Sequence, residues 1–291
     1  MEKIKAPTGE ELLTGYLPNG LHYGILLKPG FVKKYAVLAV KYGSLDSKFE
    51  LPGEGVVEVP DGIAHFLEHK LFEEPEGNVF DRFAQLGASV NAFTSYTQTA
   101  YLFSTVDHLP AALRELARFV TYPYLTYENV EKEKGIIIQE LLMYEDHPDR
   151  RLHKNLLNAL YHVNPVRIDV GGTPESVSQI TVDWLLKCYR AFYQPANMAL
   201  FVAGDVEPQQ VLEAVQGELP NDPPQPVGNR IYPEEPAHIN EEWIEDRLSI
   251  SRPRCALGFK SEPISDGRES LRRYLAMNIA IRLIAARSSP Y

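Results

Sequence analysis

The feature that most restricts the fold is a short apolar segment that carries three polar side chains. Residues 61–72 are predicted to form a helix, in which His65, Glu68 and His69 stand among isoleucine, leucine and phenylalanine. Residues four apart share a helix face, so both imidazoles can reach one point, with Glu68 at the flank of that face. Burying two imidazoles and a carboxylate is costly unless they have partners. The rest of the chain must therefore supply partners around this helix.

This helix has two competing interpretations. In the first it is an ordinary core element whose histidines hydrogen-bond within the protein, which is the commoner situation for a single histidine. In the second, His65 and His69 bind zinc as neutral imidazoles, and zinc acidifies water. Glu68 would then take a proton as water attacks a carbonyl group. The pattern has only three fixed positions, so a third ligand is needed to favour the metal.

A second predicted helix, residues 127–144, offers candidates for that ligand. Glu133 and Glu140 are two helical turns apart, and Ile137 and Tyr144 share their stripe, which indicates that the stripe faces inward. Taken alone, both glutamates would be assigned to solvent, as most helical glutamates are. Beside a two-histidine helix that lacks a third ligand, the stripe favours a metal site.

Length and composition restrict the class of protein. The 291 residues allow one large or two medium domains, and 44% hydrophobic with 23% charged residues is typical of a globular protein. The net charge of −10 argues against nucleic acid or a membrane surface as partner, because both attract clustered cations. Cys188 and Cys255 lie far apart and predict free thiols. The sequence shows no signal peptide and no run of roughly 18 apolar residues, so we expect a soluble, cytoplasmic protein.

The order of predicted elements indicates an α+β fold. Strands are expected within 21–46 and at 198–204, a hairpin within 88–106, and further helices at 78–86, 109–122, 151–161, 181–192, 208–218 and 270–286. Because strands and helices do not alternate regularly, we expect a mostly antiparallel sheet with helices on one face. We also expect Asp61 to cap the histidine helix and residues 243–259 to form strands.

Proline marks the predicted domain boundary. Six prolines lie between residues 220 and 236, so residues 221–236 are predicted to be a linker. The linker would separate an N-terminal zinc-binding domain, residues 1–220, from residues 237–291.

Four segments carry a resemblance to a known family. They are the helix at 62–69, the G-x-x-x-N-A-x-T pattern within 87–95, the E-x6-E helix at 130–140, and the N-M-x5-G-D-V strand at 197–206. In this order they resemble the pitrilysin/insulinase peptidases, the inverzincins with the H-x-x-E-H motif. The resemblance covers most of residues 20–260.

The resemblance implies a role for each site residue. His65, His69 and Glu140 would hold one zinc per chain, and Glu68 would be the general base. Glu133 would steady a histidine ligand. The strand beside the site would pair with an extended substrate through Asn91, Ala92 and Phe93. The implied activity is metalloendopeptidase hydrolysis of peptides or unfolded polypeptides.

Family members carry two similar halves, in one chain or in two subunits, that enclose a chamber. Residues 237–291 resemble only the start of the second half, and no residue matches the arginine and tyrosine that this half contributes to the family's active site. The chain therefore looks truncated, and we expect it to bind zinc but to be nearly inactive without a C-terminal portion or a paralogous subunit. Apolar residues along 271–284 also predict self-association. Two other functions stay open, a non-catalytic or presenting subunit and a metal-binding module without hydrolysis.

Overall fold

The computed structural model describes residues 1–5, 8–75, 77–220, 226–264 and 266–285. The strands in these residues are β1 (Glu2–Lys5), β2 (Glu11–Tyr16), β3 (His22–Leu27), β4 (Lys34–Val40), β5 (Lys48–Leu51), β6 (Gly55–Glu58), β7 (Glu73–Glu74), β8 (Gly77–Asn78), β9 (Ser89–Thr94), β10 (Thr99–Thr105), β11 (Met198–Gly204) and β12 (Asn229–Arg230). The main sheet has the order β1-β2-β3-β11-β4-β10-β9. Strands β3 and β11 are parallel, and the other neighbours are antiparallel. The α+β prediction with a mostly antiparallel sheet is confirmed.

The described residues also form nine α-helices. They are α1 (Ile63–Leu71), α2 (Val79–Gln85), α3 (Leu109–Thr121), α4 (Tyr127–Glu145), α5 (Pro148–Leu160), α6 (Pro174–Ser178), α7 (Val182–Phe192), α8 (Pro208–Gln216) and α9 (Gly267–Ala285). Within the described residues, none of these helices combines the length and the apolar character that crossing a bilayer requires.

The main sheet buries one face against helices. In β4 the side chains of Ala36, Leu38 and Val40 are buried, and the residues between them are only partly so. The same alternation in β11 buries Leu200 and leaves Phe201 38% exposed. Helices α1 and α2 contact β9, and α3 contacts β10 and β4. The period-2 pattern of the strands therefore places the helices and the core on the same side.

Helix α1, which carries both histidines, begins after a glycine and not at an Asp61 cap. Gly62 is the N-cap residue with φ of 87°, and no side chain caps the helix. A Cβ on Gly62 would lie 2.3 Å from the carbonyl oxygen of Gly171, so this neighbouring loop closes over the start of α1. The carbonyl oxygen of Asp61 accepts a 2.8 Å hydrogen bond from Ser176 Oγ. The predicted Asp61 cap is wrong because these tertiary contacts set the direction of the chain.

Helix α4 begins with a capping box that fixes where its later turns lie. Thr126 Oγ1 accepts the backbone N–H of Asn129, and the Asn129 side chain accepts the backbone N–H of Thr126. One turn of helix separates buried Ile137 from Glu133 on one side and from Glu140 on the other. Because α4 packs against α1, this stripe faces the histidine helix.

The hairpin predicted within 88–106 is confirmed as β9 and β10, and the predicted helices are present with small shifts at their ends. The prediction of strands at 243–259 is wrong, because the structure has no strand in this described segment. None of the described strands lies next to it to complete a ladder. The segment instead lies against α5, and its Asp246 forms an ion pair with Arg151 of that helix.

The proline-rich segment is tied to the first unit where it is described. Residues 221–225 of the predicted linker, and residues 286–291 of the predicted second domain, lie outside the described residues. Strand β12 pairs with β5. The Glu235 carboxylate accepts hydrogen bonds from the backbone N–H groups of residues 162–164 and forms an ion pair with Lys260. Burial alone would raise the pKa of Glu235, but these donors lower the pKa to about 2. The boundaries at 220 and 237 stay predictions.

The Gly62–Gly171 contact leads to a stability prediction. Gly53 has nearly the same backbone angle as Gly62, with φ of 80°, but nothing lies within 4 Å of a Cβ built there. Gly53→Ala should therefore lose only the backbone term, about 1–2 kcal/mol. Gly62→Ala should lose about 1–3 kcal/mol more, since its Cβ meets backbone. Urea unfolding of both variants with a chelator present measures the difference, and equal losses would contradict the close packing.

Candidate metal centre

The two histidines of α1 project from one side of the helix toward α4. The ring centroids of His65 and His69 are 4.5 Å apart. His69 Nε2 lies 3.6 Å from Glu140 Oε2, which is an oxygen of the facing helix. One donor atom from each of His65, His69 and Glu140 falls within 4.8 Å of the others. The structure thus brings together the three residues that were predicted to hold a metal.

His69 is oriented by a second carboxylate of α4. Its Nδ1 lies 3.0 Å from Glu133 Oε1, and because a carboxylate only accepts, we assign the hydrogen to Nδ1. The lone pair of Nε2 then points toward Glu140. Burial alone would raise the pKa of Glu133, but the His69 hydrogen bond and the charges of His69 and Lys70 lower it. Glu133 is therefore an anion that fixes the ring of His69.

His69 lies in a field that favours positive charge. Burial works against its protonation, but the hydrogen bond to Glu133 and the charges of Glu133, Glu68 and Glu140 together raise the pKa of His69. Carboxylates that attract a proton to an imidazole also attract a divalent cation to the same place. The field around His69 therefore fits a bound metal ion.

His65 gives a second observation that fits a metal. Burial, followed by the charges of His69 and Arg150, lowers the pKa of His65 to about 4, so the ring is neutral at pH 7. Its Nδ1 is buried and has no hydrogen-bond partner. A buried polar ring without partners is costly, and neutral imidazole is the form that binds zinc. The donor set of two histidines and one glutamate is a known three-ligand set of catalytic zinc sites.

Glu68 lies beside the three donors and is held by a strand residue. Thr94 Oγ1, at the end of β9, donates a 2.6 Å hydrogen bond to Glu68 Oε2. Burial raises the pKa of Glu68, and the opposing effects of Thr94 and His69 do not cancel that rise. A carboxylate whose pKa is raised toward neutrality is a better general base than an exposed one.

Strand β9 is an edge of the main sheet in the described part of the chain. Its side chains alternate, so that Ala92 is partly buried on the α1 side, whereas Asn91 and Phe93 are exposed. Asn91 Oδ1 accepts a 2.9 Å hydrogen bond from the backbone N–H of Ala92. The three predicted substrate-strand residues therefore lie on a free edge that ends at the metal centre.

Two residues at the site were not predicted to have a role. Thr94 falls in the resembling G-x-x-x-N-A-x-T segment, yet its contact with Glu68 depends on how β9 packs on α1. Lys70 follows His69 directly, and its side chain is fully buried between α1 and α4. The available signal was a lysine between His69 and the apolar pair Leu71 and Phe72, because lysine is rarely buried without a partner.

Two family models match the chain. The model of the insulinase family, peptidase family M16, matches residues 57–174. This range contains every residue of the metal centre described above. A model named for the inactive domain of M16 peptidases matches residues 179–290.

Similar proteins carry matching names. The uncharacterized zinc protease YmfH of Bacillus subtilis is 45% identical over 286 residues, which are 96% of this chain and 66% of YmfH. The putative zinc protease AlbF of the same organism is 26% identical over 280 residues, which are 95% of this chain and 65% of AlbF. The chain thus spans about two thirds of the length of these relatives.

Solved structures share the fold. An M16-like peptidase from Alicyclobacillus acidocaldarius matches with a TM-score of 0.76 and 46% identity, over 82% of this chain and 56% of that one. A mutant of the ferredoxin protease FusC, in complex with Arabidopsis ferredoxin, matches with a TM-score of 0.66 and 26% identity, over 79% of this chain and 26% of FusC. The resemblance of the sequence is confirmed, and the chain belongs to the M16 (insulinase) peptidase family, whose relatives here are named zinc proteases.

Proposed function

We propose that this chain carries the zinc-binding half of an endopeptidase that hydrolyses peptides or unfolded polypeptides. The observation that carries the proposal is the convergence of His65, His69 and Glu140 with Glu68 alongside. Zinc bound by the three donors would act as a Lewis acid toward a peptide carbonyl and would acidify water. A metal-binding module without hydrolysis would need no such carboxylate beside the ligands.

The residues around the three metal donors would have separate roles in the reaction. Glu133 holds His69 in the tautomer that presents Nε2 to the metal. Thr94 occupies Glu68 Oε2, which leaves Oε1 to accept the proton of the attacking water. The same carboxyl group could then return this proton to the leaving amine.

The edge of β9 would hold the substrate. An extended peptide can add to an open sheet edge through main-chain hydrogen bonds. The Asn91 side chain already accepts a hydrogen bond from the backbone N–H of Ala92. A substrate carbonyl oxygen would take the place of Asn91 Oδ1 as the acceptor of this N–H. Phe93, which is 44% exposed, would contact the side chains of the added strand. The complex named in the FusC structure supports a polypeptide as the substrate.

The complete enzyme would need more than this half. The chain covers 66% of YmfH, and we propose that further residues, in a longer chain or in a paralogous or second subunit, enclose the substrate and stabilise the oxyanion. Residues 1–220 would form the zinc domain and 237–291 the start of its counterpart. Nucleic acid and membranes are not proposed as partners. A cytoplasmic location stays a prediction, and the relative PqqL of Escherichia coli is described as periplasmic.

A presenting subunit without activity is the second candidate. The observation in its favour is the match of residues 179–290 to a model named for an inactive domain. That match leaves out the metal centre, which lies wholly within residues 57–174. The presence of all three donors together with Glu68 favours the catalytic role.

The metal assignment predicts zinc content. The purified chain should hold about one zinc, and His65→Ala or Glu140→Gln should lose most of it, because each removes one of three donors. Glu131→Gln is the matched control, since Glu131 is an exposed glutamate of the same helix that pairs with Lys134. Elemental analysis after dialysis measures the content. Full zinc in both donor variants would overturn the assignment.

The role of Glu68 predicts a separation of binding from chemistry. Glu68→Gln should keep zinc but hydrolyse peptides about 100- to 10,000-fold more slowly, which is the usual contribution of a general base. The rate is measured on an unstructured fluorogenic peptide, with the chain completed by the C-terminal portion or second subunit that the proposal requires, and Glu131→Gln again serves as control. Loss of zinc from Glu68→Gln would make this residue a ligand, and an unchanged rate would exclude it as the base.

A further inference from the structure

A cleft of about 410 Å³ opens beside the metal centre, between the end of β9 and helix α5. Thr94 lines it, and the same side chain donates to Glu68. Arg150, Lys154 and Arg167 also line it. Because Thr94 ends β9 and contacts Glu68, the cleft adjoins both the candidate metal centre and the end of the strand at which we propose that the peptide pairs.

The cations of this cleft are available to a carboxylate, and the guanidinium of Arg150 is held over the ring of Tyr144, 3.5 Å from its centroid. Arg150, Lys154 and Arg167 are exposed, and the described residues place no carboxylate within 4.0 Å of any of the three. Of the two carboxylates that line the cleft, Asp149 is paired with Arg254 and Asp169 accepts the N–H of Gly171.

The positive character of the cleft is local. The whole chain has a net charge of −10, so general composition does not explain three cations without carboxylate partners beside the metal centre. Charge-assisted hydrogen bonds between guanidinium and carboxylate groups are among the stronger polar contacts.

We propose that this cleft binds an acidic side chain of the substrate, next to the peptide segment that pairs with β9. The inference rests on the proposed peptidase function and names the substrate class. Glutamate or aspartate at one fixed distance from the cleaved bond would be preferred over the corresponding amide.

Binding to the zinc-loaded Glu68→Gln chain tests this proposal. Fluorescent unstructured peptides carry a single glutamate at successive positions, and each has a glutamine counterpart. At one position the glutamate peptide should bind about 3- to 10-fold more tightly, and added salt should reduce the gain. Arg150→Gln with Arg167→Gln should abolish the gain. Arg114→Gln, an exposed arginine of α3 with the same charge change, should leave it intact.

The outcomes separate this proposal from the peptidase function. Equal binding of glutamate and glutamine peptides at every position would overturn the cleft and leave the peptidase assignment standing. A gain that survives in the double variant, or that Arg114→Gln also removes, would equally overturn it. No binding of any peptide would contradict both.

A second inference stands on Lys70, a fully buried cation between α1 and α4. Its Nζ pairs with Glu73, lies 3.3 Å from the carbonyl oxygen of Asn129 and 4.0 Å from Glu133 Oε2. Glu133 uses its other oxygen, Oε1, for His69. The two oxygens of Glu133 thus face His69 on one side and Lys70 on the other.

A buried ammonium group is costly unless several acceptors surround it. Here two of the acceptors, the Asn129 carbonyl and the Glu133 carboxylate, belong to α4, the helix that carries Glu140. Lys70 therefore connects Glu133 to the end of α1. Replacing the cation would leave the second oxygen of the Glu133 carboxylate without this neighbour, so the carboxylate would be free to turn.

We infer that Lys70 is a positioning residue, which holds Glu133 so that Glu133 can orient His69 for zinc. The inference also rests on the proposed zinc site. Residues that support a ligand typically change metal affinity by about 10- to 100-fold. Lys70→Met should therefore weaken zinc binding by that factor, without loss of the fold.

Chelator competition measures the zinc Kd of Lys70→Met, Glu133→Gln and the double variant. Because Lys70 acts through Glu133, the double variant should bind no more weakly than Glu133→Gln alone. Lys132→Met, an exposed lysine one residue from Glu133, should stay near wild type. Nitrogen-15 NMR of the metal-free chain should show His69 losing its single tautomer in Lys70→Met.

Several results would overturn the role of Lys70. They are wild-type zinc affinity in a folded Lys70→Met chain, additive losses in the double variant, or an unchanged His69 tautomer. Lys70→Gln, which keeps a polar head for Glu73, replaces Lys70→Met if the latter does not fold, and the same loss is expected. A wild-type chain that binds no zinc would instead contradict the proposed function.

Discussion

The hydrogen bond from His69 Nδ1 to Glu133, at 3.0 Å, joins the two helices on which the metal centre depends. Helix α1 is buried on most of its surface, and its imidazoles would be costly there without partners. Helix α4 supplies those partners as carboxylates at fixed spacing around buried Ile137. The same hydrogen bond leaves Nε2 of His69 available to a metal. One contact therefore both joins the two helices and orients a ligand.

The sheet sets the direction of this pair of helices and supplies the edge strand at which we propose that the substrate pairs. Gly62 lets the chain turn into α1 under the carbonyl of Gly171, which no residue with a Cβ could do without displacing that loop. Strand β9 then runs beside α1, and its last residue, Thr94, reaches Glu68. A peptide added to this edge would therefore run beside α1 and pass close to Glu68.

The parts of the site that lie within one helix could be predicted from the sequence, because a helix fixes the spacing of its own side chains. This holds for His65 and His69 on one face of α1, and for Glu133 and Glu140 on one face of α4. Thr94 could not be given a role, since its contact with Glu68 requires the packing of two distant segments.

Other predictions failed where tertiary contacts outweighed local preference. Asp61 has the residue type of a helix cap, but Ser176 of α6 donates a hydrogen bond to its carbonyl oxygen and Gly62 takes the cap position. Residues 243–259 alternate like a strand, yet the described chain offers them no neighbouring strand. Lys70 would be assigned to solvent by its type alone, and only the approach of α4 buries it.

The central claim is that zinc is held by two imidazoles and a carboxylate, and X-ray absorption at the zinc edge tests it most directly. The account predicts nitrogen and oxygen neighbours at about 2.0–2.2 Å, two of them with the outer-shell scattering of imidazole rings. In the His69→Ala chain the zinc signal should fall to a small fraction of the wild-type signal, because this variant also removes one of the three donors. A sulfur neighbour at about 2.3 Å, or a spectrum that His69→Ala does not change, would place the metal elsewhere and contradict the account.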